Sequence, residues 1–537
     1  MRLPADEELA AATIAAAAGA GITVFDTARA YGENEALLAR ALRACGTAAR
    51  IVTKGGMTRA GGAWIPDGRA KALRSDCEAS LAALDGLPID LYLVHAPDPR
   101  TPWRTSVRAL ARLADDGLVR QVGLANVTRE QLDEALGIAP IVAVQVALSV
   151  FDDRAVRGGI VERCADQGIT VIAHSPLGGP RRKGSPARND TLAEAAGAAG
   201  ASPAEVALAW LLDLAPNVVA IPGARTPDAA RSAARAAQLR LTAPAREALA
   251  RSFGRSRPQR ASAGSGDVVL VMGIPGAGKT KVAADYADRG YARLNRDERG
   301  GSLREIAGDL DEELAAGGRR IVLDNTYLTR AARSHVVDAA ARHGVRVRCV
   351  WLDTPLAQAQ VNLVERLLER FGGLPEPEQL RAQSRREPGL LLPTSQMRAL
   401  RELEPPAADE GFAEIERVAF TRAARAGRPG VFVAGGALEH AGWERTLADP
   451  DAPRLVFDWD PHGVRDALRG RAAAAALAVC RHGGGPPICW CRPPLPGLPL
   501  AFARAHDVDP AKSSLIGVSA AHRTLAATLG AAYVSVA

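Results

Sequence analysis

Short apolar runs separated by amphipathic stretches recur along almost the whole chain, a spacing that predicts strands alternating with helices. In the first half the runs are Ile22 to Phe25, Ile51 to Lys54, Ile89 to His95, Val122 to Asn126, Val142 to Gln145, Thr170 to Ser175 and Val218 to Pro222. Alanine-rich helical patterns lie between them, among them Glu7 to Ala18, Glu35 to Ala44 and Ala70 to Leu84. Such alternation over residues 1–250 predicts a (β/α)8 TIM barrel, in which the residues just after each strand form the active site. Asp26, Tyr31, Lys54 and His95 all fall at such strand ends. Little chain precedes the first helix, so the expected barrel lacks its first strand and keeps an open edge. A start codon placed too far downstream would account for this, and dinucleotide binding is expected to be poor unless the chain is extended upstream of Met1.

A Ser-, Gly-, Arg- and Pro-rich stretch at 251–265 predicts a linker. A second alternation then begins. Val268 to Val271 has strand length and composition, and GIPGAGKT follows directly, from Gly273 to Thr280. Gly273, Gly276 and Gly278 allow backbone N–H groups to converge on phosphate oxygens, Lys279 supplies a point charge, and Thr280 a ligand for Mg²⁺. A helix starting at Lys279 adds its positive end to the same anion. Further on, Arg320 to Thr326 reads as a buried strand carrying Asp324 toward that metal. Leu294-Asn295-Arg296-Asp297 is a shorter run whose acid would face the γ-phosphate as a base. Its alternative role is a helix N-cap, since Glu298 and a helical stretch follow. Residues 266–425 are therefore expected to form a P-loop NTPase domain with a doubly wound parallel sheet and an ATP–Mg²⁺ site.

The last segment, 428–537, is expected to be a third, Rossmann-like α/β domain. It contains Cys480-Arg481-His482 and Cys489-Trp490-Cys491, a C-x-H-x6-C-x-C pattern in a Gly/Pro-rich loop. Four soft or borderline ligands at this spacing predict a closed tetrahedral Zn²⁺ site of structural type.

Composition adds less. The 537 residues are 47% hydrophobic, ample for several cores. A net charge of +7 permits a polyanionic partner without requiring one. Seven cysteines suggest no disulfide framework. With neither a signal peptide nor a membrane-length apolar run, the expectation is a cytoplasmic protein with no membrane partner.

Three resemblances sharpen these readings. The DTA..Y motif with Asp26 and Tyr31, the strand-end Lys54 and LYLVHAPD with His95 resemble the catalytic tetrad of the aldo-keto reductases. Ala125-Asn126, Gln145, HSPLG with Ser175, and IPGAR with Gly223 and Arg225 are similar to that family's cofactor-binding strand ends. The resemblance implies NADP(H) or NAD(H) and a small carbonyl substrate. A hydride would reach the carbonyl carbon while Tyr31 protonates the oxygen, with Lys54 and Asp26 behind it and His95 orienting the carbonyl. An asparagine common after the IPGA motif is Ala233 here, while Arg225 and Arg231 are placed to hold a 2′-phosphate, so NADPH is preferred.

GIPGAGKT, then NRD, then LDNT, with Leu403-Glu404-Pro405-Pro406 and Glu410-Gly411-Phe412 closing the segment, resemble the kinase domain of polynucleotide kinase-phosphatases. This implies transfer to a nucleic-acid 5′-hydroxyl with Asp297 as base, aided by a lid arginine among Arg366, Arg370, Arg381, Arg385 and Arg386. Kinases of sugars, nucleosides and antibiotics share the loop and remain the alternative, as does use of the outer modules for docking alone. The zinc loop, Arg492 to Gly497 and Ser514 to Ser519 are similar to haloacid dehalogenase-type phosphatases. That family's acids and lysine are absent: Val431 to Gly436 carries no nucleophile, and Pro493, Val518 and His522 stand at the other positions. Phe457-Asp458-Trp459-Asp460 offers a substitute acid pair, followed by Pro461. A degenerate domain without phosphatase activity is therefore expected.

Overall fold

A computed structural model describes residues 6–60, 63–179, 186–253, 266–384, 386–387, 389–421, 426–440, 443, 451–462 and 475–536. The chain divides into two compact units, Met1–Arg257 and Pro258–Ala537. The predicted linker at 251–265 brackets that division; its first residues finish the helix Ala243–Phe253, and 254–265 lie outside the described residues.

In the first unit, seven parallel strands follow one another around a barrel-like sheet. They are β1 (Val24–Asp26), β2 (Arg50–Gly55), β5 (Leu91–Val94), β6 (Gln121–Ala125), β7 (Ile141–Ala147), β8 (Thr170–His174) and β9 (Val218–Ile221). The predicted runs match these strands to within one or two residues, because strands covered by helices on one side and neighbours on the other read as continuous apolar segments. The helices start where caps dictate. Pro203 opens one at its first position, and Ser202 accepts from the Glu205 N–H while Glu205 reaches back to Ser202.

Among the described residues no strand pairs with the outer edge of β1 or of β9. Between the two lies a cavity of about 260 Å³, lined by Phe25 and Asp26 on one side, Ala220 and Ile221 on the other, and residues of four helices, among them Ala17, Leu38, Leu208 and Ala230. Val24 and Val219, one on each edge strand, remain 46% and 43% exposed. The slot has the position an eighth strand would occupy, matching the expected open edge. A hairpin not predicted from the sequence, β3 (Met57–Ala60) and β4 (Ala63–Pro66), rises from the end of β2.

The second unit holds two five-stranded parallel sheets. The first has the order β11 (Ala292–Leu294), β12 (Arg320–Asp324), β10 (Asp267–Met272), β13 (Arg346–Asp353), β14 (Glu414–Ala419). Its central β10 buries Val268 to Met272 completely, each worth about 1.5–3 kcal/mol. The second has the order β17 (Ala476–Cys480), β16 (Arg454–Trp459), β15 (Val431–Ala434), β18 (Ser514–Gly517), β19 (Ala532–Ser535). The two sheets are not separate bodies. Val361, Leu363, Val364 and Leu367 of the helix Leu356–Phe371 share one core with Phe432, Leu455, Phe457 and Leu515. The segments expected as 266–425 and 428–537 thus bury apolar faces against each other. Asp458, expected just after a strand, sits inside β16, and Asp460 follows it.

Among the described residues no single helix is long and apolar enough to cross a membrane; one pair of short helices reaches that length only with a 92° bend between them.

Candidate active sites

At the carboxyl ends of β1, β2 and β5 the predicted tetrad comes together. Lys54 is 1% exposed, and its Nζ donates to Asp26 Oδ1 at 2.6 Å and to the Thr27 carbonyl at 2.7 Å. The other Asp26 oxygen accepts from Gln145 Nε2 at 2.8 Å, so Gln145, expected at the cofactor, also buttresses the ion pair. Burial opposes ionisation of Asp26, but the Lys54 charge and these hydrogen bonds outweigh it and hold the carboxyl below its ordinary value.

Tyr31 ends a short turn, Arg29–Tyr31. Fully buried Glu35 fixes that turn by accepting from Arg29 at 2.9 Å and from Thr53 at 2.6 Å. The Tyr31 ring lies 5.8 Å from Lys54 Nζ and 6.0 Å, edge-on, from the His95 ring. Trp64, from the unpredicted hairpin, packs 6.1 Å from Tyr31 and 5.8 Å from His95 and walls the site with a third ring. The only sequence signal for this wall is the Gly61-Gly62 pair, which favours a hairpin turn.

The expected cofactor residues line the neighbouring strand ends. Asn126 and Ser175 hold left-handed backbones, with φ of 57° and 55°. Asn126 donates to the His95 carbonyl at 3.0 Å, and its side-chain oxygen lies 3.0 Å from His174 Nε2. Burial first, and then Lys54, hold His174 below its ordinary pKa, keeping it neutral. Gly223 and Arg225 are exposed just before the helix Pro227–Gln238, whose amino end Thr226 caps. A cation and free backbone N–H groups at a helix start suit the phosphates of a dinucleotide. Arg231 is engaged by Asp228 at 2.9 Å, leaving Arg225 as the better-placed cation.

In the second unit, Gly273 to Thr280 joins β10 to the helix Lys279–Asp288. Gly276 has φ of 86°, and a Cβ there would lie 2.4 Å from the Ala359 carbonyl, so this position must be glycine. The loop is tied down from outside. Asn362 donates to the Gly276 carbonyl at 2.8 Å and Gln396 to the Pro275 carbonyl at 3.0 Å. Neither residue carried a sequence signal.

Lys279 folds back on its own loop, donating to the Gly273 and Ile274 carbonyls at 3.0 and 3.1 Å. Burial pushes its pKa down to about 8, with Asp324 opposing the shift and Arg366 adding to it. Asp324 is buried and doubly paired with Arg293, at 2.9 and 2.7 Å, while Asn295 donates to it at 3.0 Å. The helix cap proposed for Asp297 belongs to Asn295, which accepts from the Asp297 N–H at 2.7 Å; Asp297 itself points outward, half exposed. Thr280 is exposed in the first turn of its helix. Of the candidate lid arginines, Arg366 is the one whose charge reaches Lys279. Arg370 pairs with Glu387 at 2.7 Å, and Arg385 lies outside the described residues.

The cysteine–histidine loop also assembles. Cys480, His482, Cys489 and Cys491 offer ligand atoms that all lie within 4.8 Å of one another. The Cys480 and Cys491 sulfurs are 3.3 Å apart, Cys480 and Cys489 3.7 Å, and His482 Nδ1 is 3.2 Å from Cys491. A tetrahedral set at Zn–S of about 2.3 Å has edges of about 3.8 Å, so the four residues fit such a metal.

Residues 2–250 match the aldo/keto reductase family, and residues 268–388 match an AAA domain, a P-loop fold. Over 253 residues the chain is 33% identical to a probable aldo-keto reductase 1 of Glycine max, covering 41% of this chain and 72% of that one. It is 33% identical to pyridoxine 4-dehydrogenase of Escherichia coli over 232 residues, covering 41% of this chain and 78% of that one. The crystal structure of a thermostable aldo-keto reductase with the inhibitor epalrestat is 31% identical, with a TM-score of 0.41 over 47% of this chain and 90% of that one. On the family match and these curated relatives, the chain belongs through its first 250 residues to the aldo/keto reductase family.

Proposed function

We propose that the protein joins two activities, an NADPH-dependent reduction of a small carbonyl compound and an ATP-dependent transfer of phosphate to a polynucleotide 5′-hydroxyl. The reductase reading is carried by Lys54, held between Asp26 and the Thr27 carbonyl beneath Tyr31. NADPH, when bound along Asn126, Gln145, Ser175 and Gly223 to Arg225, supplies the hydride. Tyr31 then gives its proton to the carbonyl oxygen, the Lys54 charge stabilises the tyrosinate left behind, and His95 and Trp64 orient the substrate.

The kinase reading is carried by the phosphate loop together with the outward-facing carboxylate of Asp297. The acceptor oxygen forms a bond to the γ-phosphorus as the bond to the β-phosphate oxygen breaks and ADP leaves. Asp297 takes the hydroxyl proton, and Lys279 and Arg366 neutralise the transferring group. Thr280 and Asp324 would hold a Mg²⁺ that neutralises the phosphates, and Arg293, which pairs with both Asp324 oxygens, would have to release at least one of them. The cysteine–histidine loop holds a structural zinc. In the second sheet of that unit β15 itself carries no acid, and the domain is expected to hydrolyse no phosphomonoester unless Asp458, whose carboxylate packs against Gly435 just after β15, has taken the nucleophile's place.

Labelled ATP offered with 5′-hydroxyl oligonucleotides and, separately, a panel of sugars and nucleosides decides the acceptor. Label on the oligonucleotide is the expected result, and label only on a metabolite replaces the acceptor class. In the same preparation, carbonyl-dependent loss of NADPH absorbance reports the reductase.

A further inference from the structure

Two helices hold the phosphate loop, one through Asn362 and the other through Gln396. The chain between these two helices, 372–392, includes the helix Pro377–Ser384. It leans on the cysteine–histidine loop more than a hundred residues away. Leu374 packs against the three cysteines, and a Cβ on Gly497 would strike it at 3.1 Å. Trp490, between two of the cysteines, donates to the Leu391 carbonyl at 2.8 Å. His482 turns Nδ1 toward the sulfurs and places Nε2 3.0 Å from Glu376 Oε2. A histidine that ligates a metal through one nitrogen is ordinarily oriented by a carboxylate on the other, so Glu376 stands where such a partner belongs. From the same stretch, the Gly389 carbonyl accepts from Arg366 Nη1 at 3.1 Å.

Resting on the kinase reading above, we propose that the metal loop is a buckle for the phosphoryl-transfer site: with metal bound, His482 and Glu376 lock residues 372–392 in place, and that segment aligns Arg366 on the phosphates. The metal is of the zinc class, set by three thiolates and one imidazole. It takes no part in the chemistry. The segment is also anchored by Leu380 and Leu390, which are buried in the core shared with the second sheet, so loss of the metal loosens its metal-facing part while leaving the phosphate loop built.

Three measurements on the full chain test this, with zinc alone as the probe. Competition against a metallochromic chelator should show about one zinc per chain in the wild type, with affinity lowered about 10- to 100-fold in Glu376→Ala. Glu376→Gln, whose amide oxygen still accepts from His482, should recover most of that loss. Hydrogen exchange across 372–392 should quicken in Glu376→Ala and in metal-stripped wild type, while exchange in β10 stays slow. Under both conditions kcat for phosphoryl transfer should fall about tenfold or more with ATP affinity unchanged. Absence of bound zinc, zinc affinity in Glu376→Ala within twofold of wild type, or unchanged exchange across 372–392 after stripping overturns the proposal. Wild-type protein that phosphorylates no acceptor defeats the kinase reading alone, since zinc affinity and exchange still decide the buckle.

Discussion

The two candidate sites are organised in opposite ways. In the barrel the candidate groups partner one another: Asp26 holds Lys54, Gln145 holds Asp26, and the rings of Tyr31, His95 and Trp64 pack edge-on or tilted against one another. In the P-loop unit two buried groups are engaged outside the site's own chemistry, Lys279 by its own loop and Asp324 by Arg293. The first site is assembled before any ligand arrives. The second is at rest, and phosphate must displace internal hydrogen bonds to engage it. A buried ion pair is costly to desolvate and costlier to break, so it persists in the free protein. A lysine bonded only to carbonyls exchanges those partners for phosphate oxygens at a gain.

The sharpest way to break this contrast is to remove Lys279. Lys279→Ala should take phosphoryl transfer to background without loss of fold, because the side chain bonds only to its own loop. Measurable turnover in that variant refutes the kinase assignment. Tyr31→Phe comes next: it should lower carbonyl reduction about 10²- to 10⁴-fold while NADPH binding, read by fluorescence titration, is unchanged, since the ring stays and only the proton is lost. Equal turnover would mean that another group supplies the proton.

Asp26→Asn tests preassembly directly. It leaves Lys54 charged and unpaired in the barrel, and should cost about 3–5 kcal/mol by denaturant unfolding of the first unit. A cost below about 1 kcal/mol would show that the pair is solvated rather than structural. The sign with pH follows from the lowered carboxyl: the pair's contribution is whole above the ordinary aspartate range and is lost only as pH falls through the depressed value.

The smallest effect belongs to the resting lysine. With Lys279 pushed down to about 8, the free loop loses its charge above that pH, whereas bound triphosphate retains it. ATP affinity should be flat below pH 8 and weaken by up to about tenfold per pH unit above it. Calorimetric titration from pH 7 to 9.5 measures this, and a flat profile would mean that burial does not lower the lysine's pKa in the free protein.

Much of this was legible in the sequence because the information is local. An apolar run followed by glycines and a helix pattern specifies a strand–turn–helix unit, and the parallel alternation sends the acids and bases at strand ends to one face. Hence local pattern alone singles out Asp26, Lys54 and His95 in the first unit, and Lys279, Asp324 and the four residues of the cysteine–histidine loop in the second. The seven barrel strands and the unpaired edge beside the 260 Å³ slot follow from the same reading.

What the tertiary structure decided is which distant groups meet. Nothing near Asp324 in sequence names Arg293 as its partner. Nothing in a run of arginines singles out Arg366, and nothing links Glu376 to His482 across 106 positions. Helical period and composition record whether a face is buried, not what buries it. The helix Leu356–Phe371 has an apolar stripe that would suit either sheet of its unit, and only the packing shows that it faces Phe432, Leu455 and Phe457. Periodicity is a property of one segment, whereas a pairing depends on how two segments approach, and many approaches satisfy the same pattern of apolar and polar residues.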